Sequence, residues 1–327
     1  MKYALALITC LATAPAFADV AQTVDQHILT GYAAFDSAAA DLATTAREDC
    51  SIQAVQPAWH TTFDAWMQVS HLRFGPVEEA GRSVSIAFWP DTRGAGRRAL
   101  ATLIADGDPV IDTPEGTAQI SVAARGLFAL EYLLFDAQFT DAGPYGCALI
   151  GALTADLAVM AREIHDAWVT GFADVLRTAG AVGNPAFLTA QEGAQILFTS
   201  LITGLEFTAD QRLGRPMGSF ERPRPKRAES WRAGRSLRNV VLSLEALRDL
   251  ARHLTQGDAP RTFAAFNKAL ELAADLDDPT LATVSDSQGR FRIEVLQQSV
   301  DAIQTAALTE IGAALGVAPG FNSADGD

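Results

Sequence analysis

Glu131 is the residue whose surroundings most demand a chemical explanation. It lies in Gly126-Leu127-Phe128-Ala129-Leu130-Glu131-Tyr132-Leu133-Leu134-Phe135, where burying a carboxylate is costly without a partner. One reading makes it a metal ligand or general base in an interior site. The other pairs it structurally with an arginine such as Arg125 or Arg73. Glu206, between Leu205 and Phe207 and shortly before Arg212, poses the same question in the second half of the chain. Two such semi-buried carboxylates converging between bundles could hold one hard cation. His60 and Asp64, an i, i+4 pair, share a helix face and could chelate an ion, a solvated or capping pair being the plainer reading. His71 lies on that face three turns on, too far to join them.

Other chemistries lack their residues. There is no His-Glu-x-x-His, and His165 has acidic neighbours only in Glu163-Ile164-His165-Asp166. No Gly-x-Ser-x-Gly elbow, phosphate loop or dinucleotide fingerprint occurs. His253, near a helix end, reads as a favourable dipole contact. Trp59, Phe63, Trp66, Phe74 and Phe88 read mainly as core, whereas Trp89 and Asp91 of Trp89-Pro90-Asp91 fall in a loop and are candidate ligand contacts.

The elements that must position these residues are helices. Alanine and leucine dominate, strand-like alternation is nearly absent, and apolar residues recur at helical spacing. The spacing predicts helices over 21–47, 57–73, 95–105, 117–135, 151–178, 189–213, 229–254, 259–275 and 291–315. Gly/Pro-rich turns fall at 141–144 and 179–185, and a basic, Pro-rich connector at 214–227. The fold class is therefore all-α, with two helical-bundle domains over 19–150 and 151–327. The Leu-Glu pairs at Leu130-Glu131 and Leu205-Glu206, each deep in an apolar helix, are the trace a degenerate duplication would leave.

Met1-Lys2-Tyr3, the apolar run 4–14 and Ala16-Phe17-Ala18 form a secretory signal over 1–18, so the mature chain is expected to begin near Asp19. Lipoprotein anchoring through Cys10 is disfavoured by the short apolar run and by Thr9 before it. Charged residues interrupt the later apolar segments, and no membrane span is expected. Cys50 and Cys147 survive processing, and in an oxidising compartment they suit a disulfide. The formal charge of −14 disfavours nucleic acid and favours cations or basic ligands. One window is the reverse. Arg212, Arg215, Arg222, Arg224, Lys226, Arg227, Arg232, Arg235 and Arg238 oppose only Glu221 and Glu229 there. That run is either a solvated face or a docking surface for an envelope partner.

Several blocks resemble the imelysin family of bacterial periplasmic proteins. They are Phe63-Asp64-Ala65-Trp66, His71-Leu72-Arg73-Phe74-Gly75-Pro76-Val77-Glu78, Phe88-Trp89-Pro90-Asp91, the stretch 125–135, Trp231-Arg232-Ala233-Gly234-Arg235-Ser236-Leu237-Arg238-Asn239 and the ending 315–327. The resemblance implies two helical bundles facing across a cleft, a periplasmic location, and association with the iron-uptake machinery of the cell envelope. It also carries a metallopeptidase label. The family signature resembles Gly-x-His-x-x-Glu and falls on Gly126, Phe128 and Glu131, so a phenylalanine stands where the signature has its histidine. Phe cannot coordinate a cation. The expectation is thus a binding or accessory protein rather than a peptidase. Its cleft would be lined by Arg73, Trp89, Asp91, Arg125, Gly126, Glu131, Glu206, Arg235 and Ser236, and would take a small ligand, iron or another divalent cation. If a metal binds, the candidate ligands are Glu131, His60 and Asp64; the metallopeptidase alternative would use Glu131 as base with ligands from His60, Asp64 or His165.

Overall fold

The computed structural model describes residues 19–320; the expected signal segment and Cys10 lie outside the described residues. Among the described residues there is no strand, and nine helices have ten or more residues. They are α1 (20–48), α2 (Ile52–Val69), α3 (Ala95–Asp106), α4 (Gly126–Phe135), α5 (Gly143–Arg177), α6 (190–217), α7 (Ser236–Thr255), α8 (Pro260–Ala274) and α9 (287–315). The all-α class follows from the 3.6-residue period of the apolar positions.

Several boundaries differ from those the spacing predicts. The single helix expected over 117–135 is broken into Pro114–Gln119, a 3-10 turn Val122–Ala124 and α4. The break has a local cause, because Ser121 caps the turn by accepting from Ala123 N–H and Gly126 takes φ +68°. α2 begins five residues early, since Ser51 accepts from Ala54 N–H and Pro57 is accommodated inside the helix. α7 starts late because Ser230 (φ +48°) and Gly234 (φ +66°) turn the chain through 229–235. α1, α5, α6 and α9 each pass through a π-helical stretch, Val24–Leu29, Trp168–Phe172, Phe207–Gly214 and Leu308–Gly312, a wider turn often retained at functional positions.

α1 packs against both α2 and α5, and α4 lies on α5. In the second half α8 packs on α9, and α6 on α7 and α9. α7 packs against α2, so the two groups share one continuous core running from Val24 to Ile311. Residue 150 falls inside α5, which packs with α1, α2's partner. α5 is also long and apolar enough to cross a membrane, contrary to the expectation that no later segment is, and half of its most apolar window is buried in the protein. Its buried apolar residues pack mainly against α1 and α4.

The expected disulfide is present. Cys50, between α1 and α2, is joined to Cys147 in the first turns of α5, with Cα atoms 5.4 Å apart. It therefore fixes the start of α5 to the α1–α2 corner.

Candidate functional site

α4, the 88–92 loop and the connector after α6 enclose a cavity of about 270 Å³. From α4 come Phe128, Glu131 and Tyr132; from the loop, Trp89 and Asp91; from the end of α6 and the connector, Arg215, Lys226, Arg227, Ser230, Trp231 and Arg232. Phe128 stacks on Trp89 with ring centroids 6.3 Å apart and planes 13° from parallel. Trp89 also meets Phe207 edge-on at 5.8 Å. The signature's histidine position is thus filled by an aromatic ring that packs rather than ligates.

Glu131 is 3% exposed. Its Oε1 accepts the backbone N–H of Arg232 at 3.1 Å. Burial pushes its carboxyl up to about 7, against the opposing influence of the Arg232 charge and the backbone N–H groups of Ala233 and Arg232. Near neutral pH the group can therefore present either a carboxylate or a carboxylic acid to the cavity. Arg232 itself is held by Asp136 at 2.9 Å and lies over the Tyr132 and Trp231 rings, 4.3 and 4.6 Å from their centroids.

Of the candidate cleft residues, Trp89, Asp91 and Glu131 line this one cavity. Asp91 also caps α3, because its two oxygens accept the N–H groups of Ala95 and Gly96, both at 2.9 Å. Gly126 does not line the cavity, and its contacts are structural. A Cβ there would lie 2.2 Å from Ser85 O and 2.4 Å from Ile86 O, at a φ of +68°. Only glycine lets α4 begin so close to that backbone.

The remaining candidates lie elsewhere. Arg125 does not pair with Glu131; it forms a fork on Asp156 at 2.9 and 2.7 Å. Nor does Arg73, whose Nε donates to Ser70 O at 3.1 Å; burial lowers its pKa and Glu78 is the main opposing charge. Glu206, expected to be semi-buried, is exposed because the helix phase turns Leu205 inward and Glu206 outward. Arg235, 1% exposed, ties α7 to α2 by donating to Asn239, His60 and Asp64, and lies over the Phe63 ring at 4.2 Å. Asp64 also accepts from Arg238, so both its oxygens face guanidinium groups. Burial followed by Arg235 lowers the His60 pKa. Ser236 is buried with no hydrogen-bond partner for its Oγ.

Two arrangements were not anticipated from the sequence. Arg212 and Glu229 form a buried ion pair at 2.7 Å, braced by Asn239, Ser243 and Thr208. His27, His71, His253 and Asp249 form a second cluster, in which His27 bonds both Asp249 and His71. The spacing of charges in the basic window hinted at the first. Nothing local marked the second.

A resident cation does not fit the cavity. Phe128 offers no ligand atom, Glu131 already accepts a backbone N–H, and the facing wall is cationic. Among the described residues no group of three His, Cys, Asp or Glu is placed to hold one metal ion.

Comparison with known proteins places this architecture. The chain is similar to an imelysin-like protein from Psychrobacter arcticum 273-4, with a TM-score of 0.76 at 19% identity over 92% of this chain and 96% of that one. It is also similar to a protein named as a putative iron-regulated protein A precursor from Parabacteroides distasonis ATCC 8503, with a TM-score of 0.73 at 12% identity over 90% and 94% of the two chains. Comparison with curated proteins gave no match. The family model for imelysin, Peptidase_M75, matches residues 28–307, and the chain belongs to the imelysin family.

Proposed function

We propose that this chain is a periplasmic binding protein serving iron acquisition, with its ligand in the cavity beside Trp89 and Glu131, and that it does not act as a peptidase. The observation that carries this reading is the replacement of the signature histidine by Phe128, stacked on Trp89 beside a Glu131 held by a backbone amide. A hydrolytic zinc site needs about three protein ligands and an open position, whereas this cavity offers aromatic walls and convergent polar groups, the composition of a ligand pocket. The disulfide supports an extracytoplasmic location. One of the two structural neighbours is named for iron regulation.

Isothermal titration of the purified mature protein with ferrous, ferric and cupric ions and with ferric chelates tests the reading. Saturable binding of at least one, lost on replacing Trp89, is expected. Absence of any binding tighter than millimolar, or chelator-sensitive peptide cleavage with stoichiometric zinc, would overturn it.

A further inference from the structure

The cavity's charges are distributed unequally, and the imbalance identifies what enters it. Its two acidic groups are both engaged, Asp91 on the α3 amides and Glu131 on the Arg232 amide. Of its cations, only Arg232 has a carboxylate partner, Asp136. Arg215, Lys226 and Arg227 form no ion pair among the described residues. Lys226 lies over the Trp231 ring at 5.5 Å, and Arg215 donates one Nη1 bond to Gln211.

Two of the residues that line this wall carry a buried polar atom with no hydrogen-bond partner, Arg215 Nε and Ser230 Oγ. Ser230 is only 2% exposed. Unsatisfied buried donors are uncommon and costly, and here two of them belong to residues lining one cavity, whose wall also carries Lys226 and Arg227 without a carboxylate partner. Burial and the charge of Arg227 both disfavour the charged form of Arg215, which is the electrostatic condition that an added negative group relieves. In a chain of net charge −14, such a pocket is not explained by general surface charge.

We propose that Arg215, Lys226, Arg227 and Ser230 form an oxyanion-binding subsite, so that the cavity takes a small carboxylate- or phosphate-bearing molecule and iron enters only as an anionic chelate. The inference rests on the binding reading above and gives its ligand class. Guanidinium and hydroxyl donors suit carboxylate and phosphate oxygens. Glu131, when protonated, adds a donor from α4 to the same cavity.

Citrate, ferric citrate, inorganic phosphate and ferrous ion are to be titrated into the intact mature protein, following tryptophan fluorescence and heat. Citrate or phosphate is expected to bind, more weakly at high salt. Replacing Arg215 or Arg227 by Gln is expected to weaken binding about tenfold or more. Ser230→Ala removes an unpaired hydroxyl, and is expected to weaken anion binding without lowering the melting temperature. Arg227→Glu places a carboxylate beside Arg215, and is expected to abolish anion binding while leaving the fold intact. Citrate binding with or without iron assigns the free anion as sufficient; ferric citrate alone binding assigns the chelate, and phosphate alone the phosphate class. Binding of ferrous ion with no anion binding would overturn the oxyanion subsite and leave the iron-binding role standing. Failure of all four probes, or anion binding untouched by the Arg215 and Arg227 variants, would overturn the subsite too.

Discussion

His27 and His71 point their Nε2 atoms at each other across 3.0 Å in the core, and Asp249 bonds the opposite ring nitrogen of His27 at 2.8 Å. A bond between two Nε2 atoms requires one donor and one acceptor, so both rings cannot carry protons on the facing nitrogens. Burial, then His27, Arg212 and Arg73, hold the His71 pKa well below 6.5. The unfolded chain therefore binds more protons than the folded one below that value, and stability should fall as pH drops through and below 6.5. Thermal melts from pH 8 to 5 check this, and His71→Gln should flatten the slope. The comparison is cleanest in a Glu131→Gln background, because Glu131 titrates with the opposite sign.

Glu131 has a folded pKa of about 7, above its ordinary 4.5, so its ionisation destabilises the folded state fully above pH 7 and not at all below about 4.5. Its partner is a backbone amide rather than an arginine, and a Gln carbonyl can accept the same bond. Glu131→Gln should raise stability by about 1 to 3 kcal/mol at pH 8, and the gain should disappear toward pH 4.5. A Glu131→Gln protein that melts below the parent at pH 8 would contradict this.

The signature glycine gives a different expectation. Gly126→Ala puts a Cβ against the Ser85 and Ile86 carbonyls at a left-handed φ, and should cost at least about 2 kcal/mol. Circular dichroism melts measure it. Loss of ligand binding with an unchanged melt would instead give the glycine a direct role in the cavity.

The buried pair between Arg212 and Glu229 should be sensitive to removal of either member alone. Glu229→Gln leaves Arg212 without its carboxylate beside Phe207, and should cost about 3 to 5 kcal/mol. Urea unfolding of the variant beside the parent tests it.

The Cys50–Cys147 bridge spans a sequence separation of 97 residues. Its loss in a double Ser variant should lower stability by about 4 to 5 kcal/mol in the chain-entropy model. Because α5 also carries Asp156, the partner of Arg125 next to α4, ligand affinity should fall with it. Unfolding and titration under reducing and oxidising conditions give both numbers.

The sequence by itself determined the helical class, the apolar burial of Glu131, the pairing of Cys50 with Cys147 and the absence of the signature histidine. Each is a local property: helical period fixes which residues share a face, and residue type fixes what a side chain can ligate. Which faces meet was decided only in three dimensions. Glu131 finds its partner 101 residues away, on the amide of Arg232, while the two arginines that its sequence setting suggested, Arg73 and Arg125, turn to Ser70 and Asp156. Glu206 occupies the same kind of Leu-Glu setting as Glu131 yet is exposed, because the side of α6 that packs inward is set by its neighbours and carries Leu205 instead. The cationic wall also depends on tertiary packing, since only the path of the connector past α4 brings Arg215, Lys226, Arg227 and Ser230 to one cavity. Periodicity leaves that path open, because turns and left-handed residues such as Ser230 and Gly234 set the direction of a connector without fixing the surface it lands on.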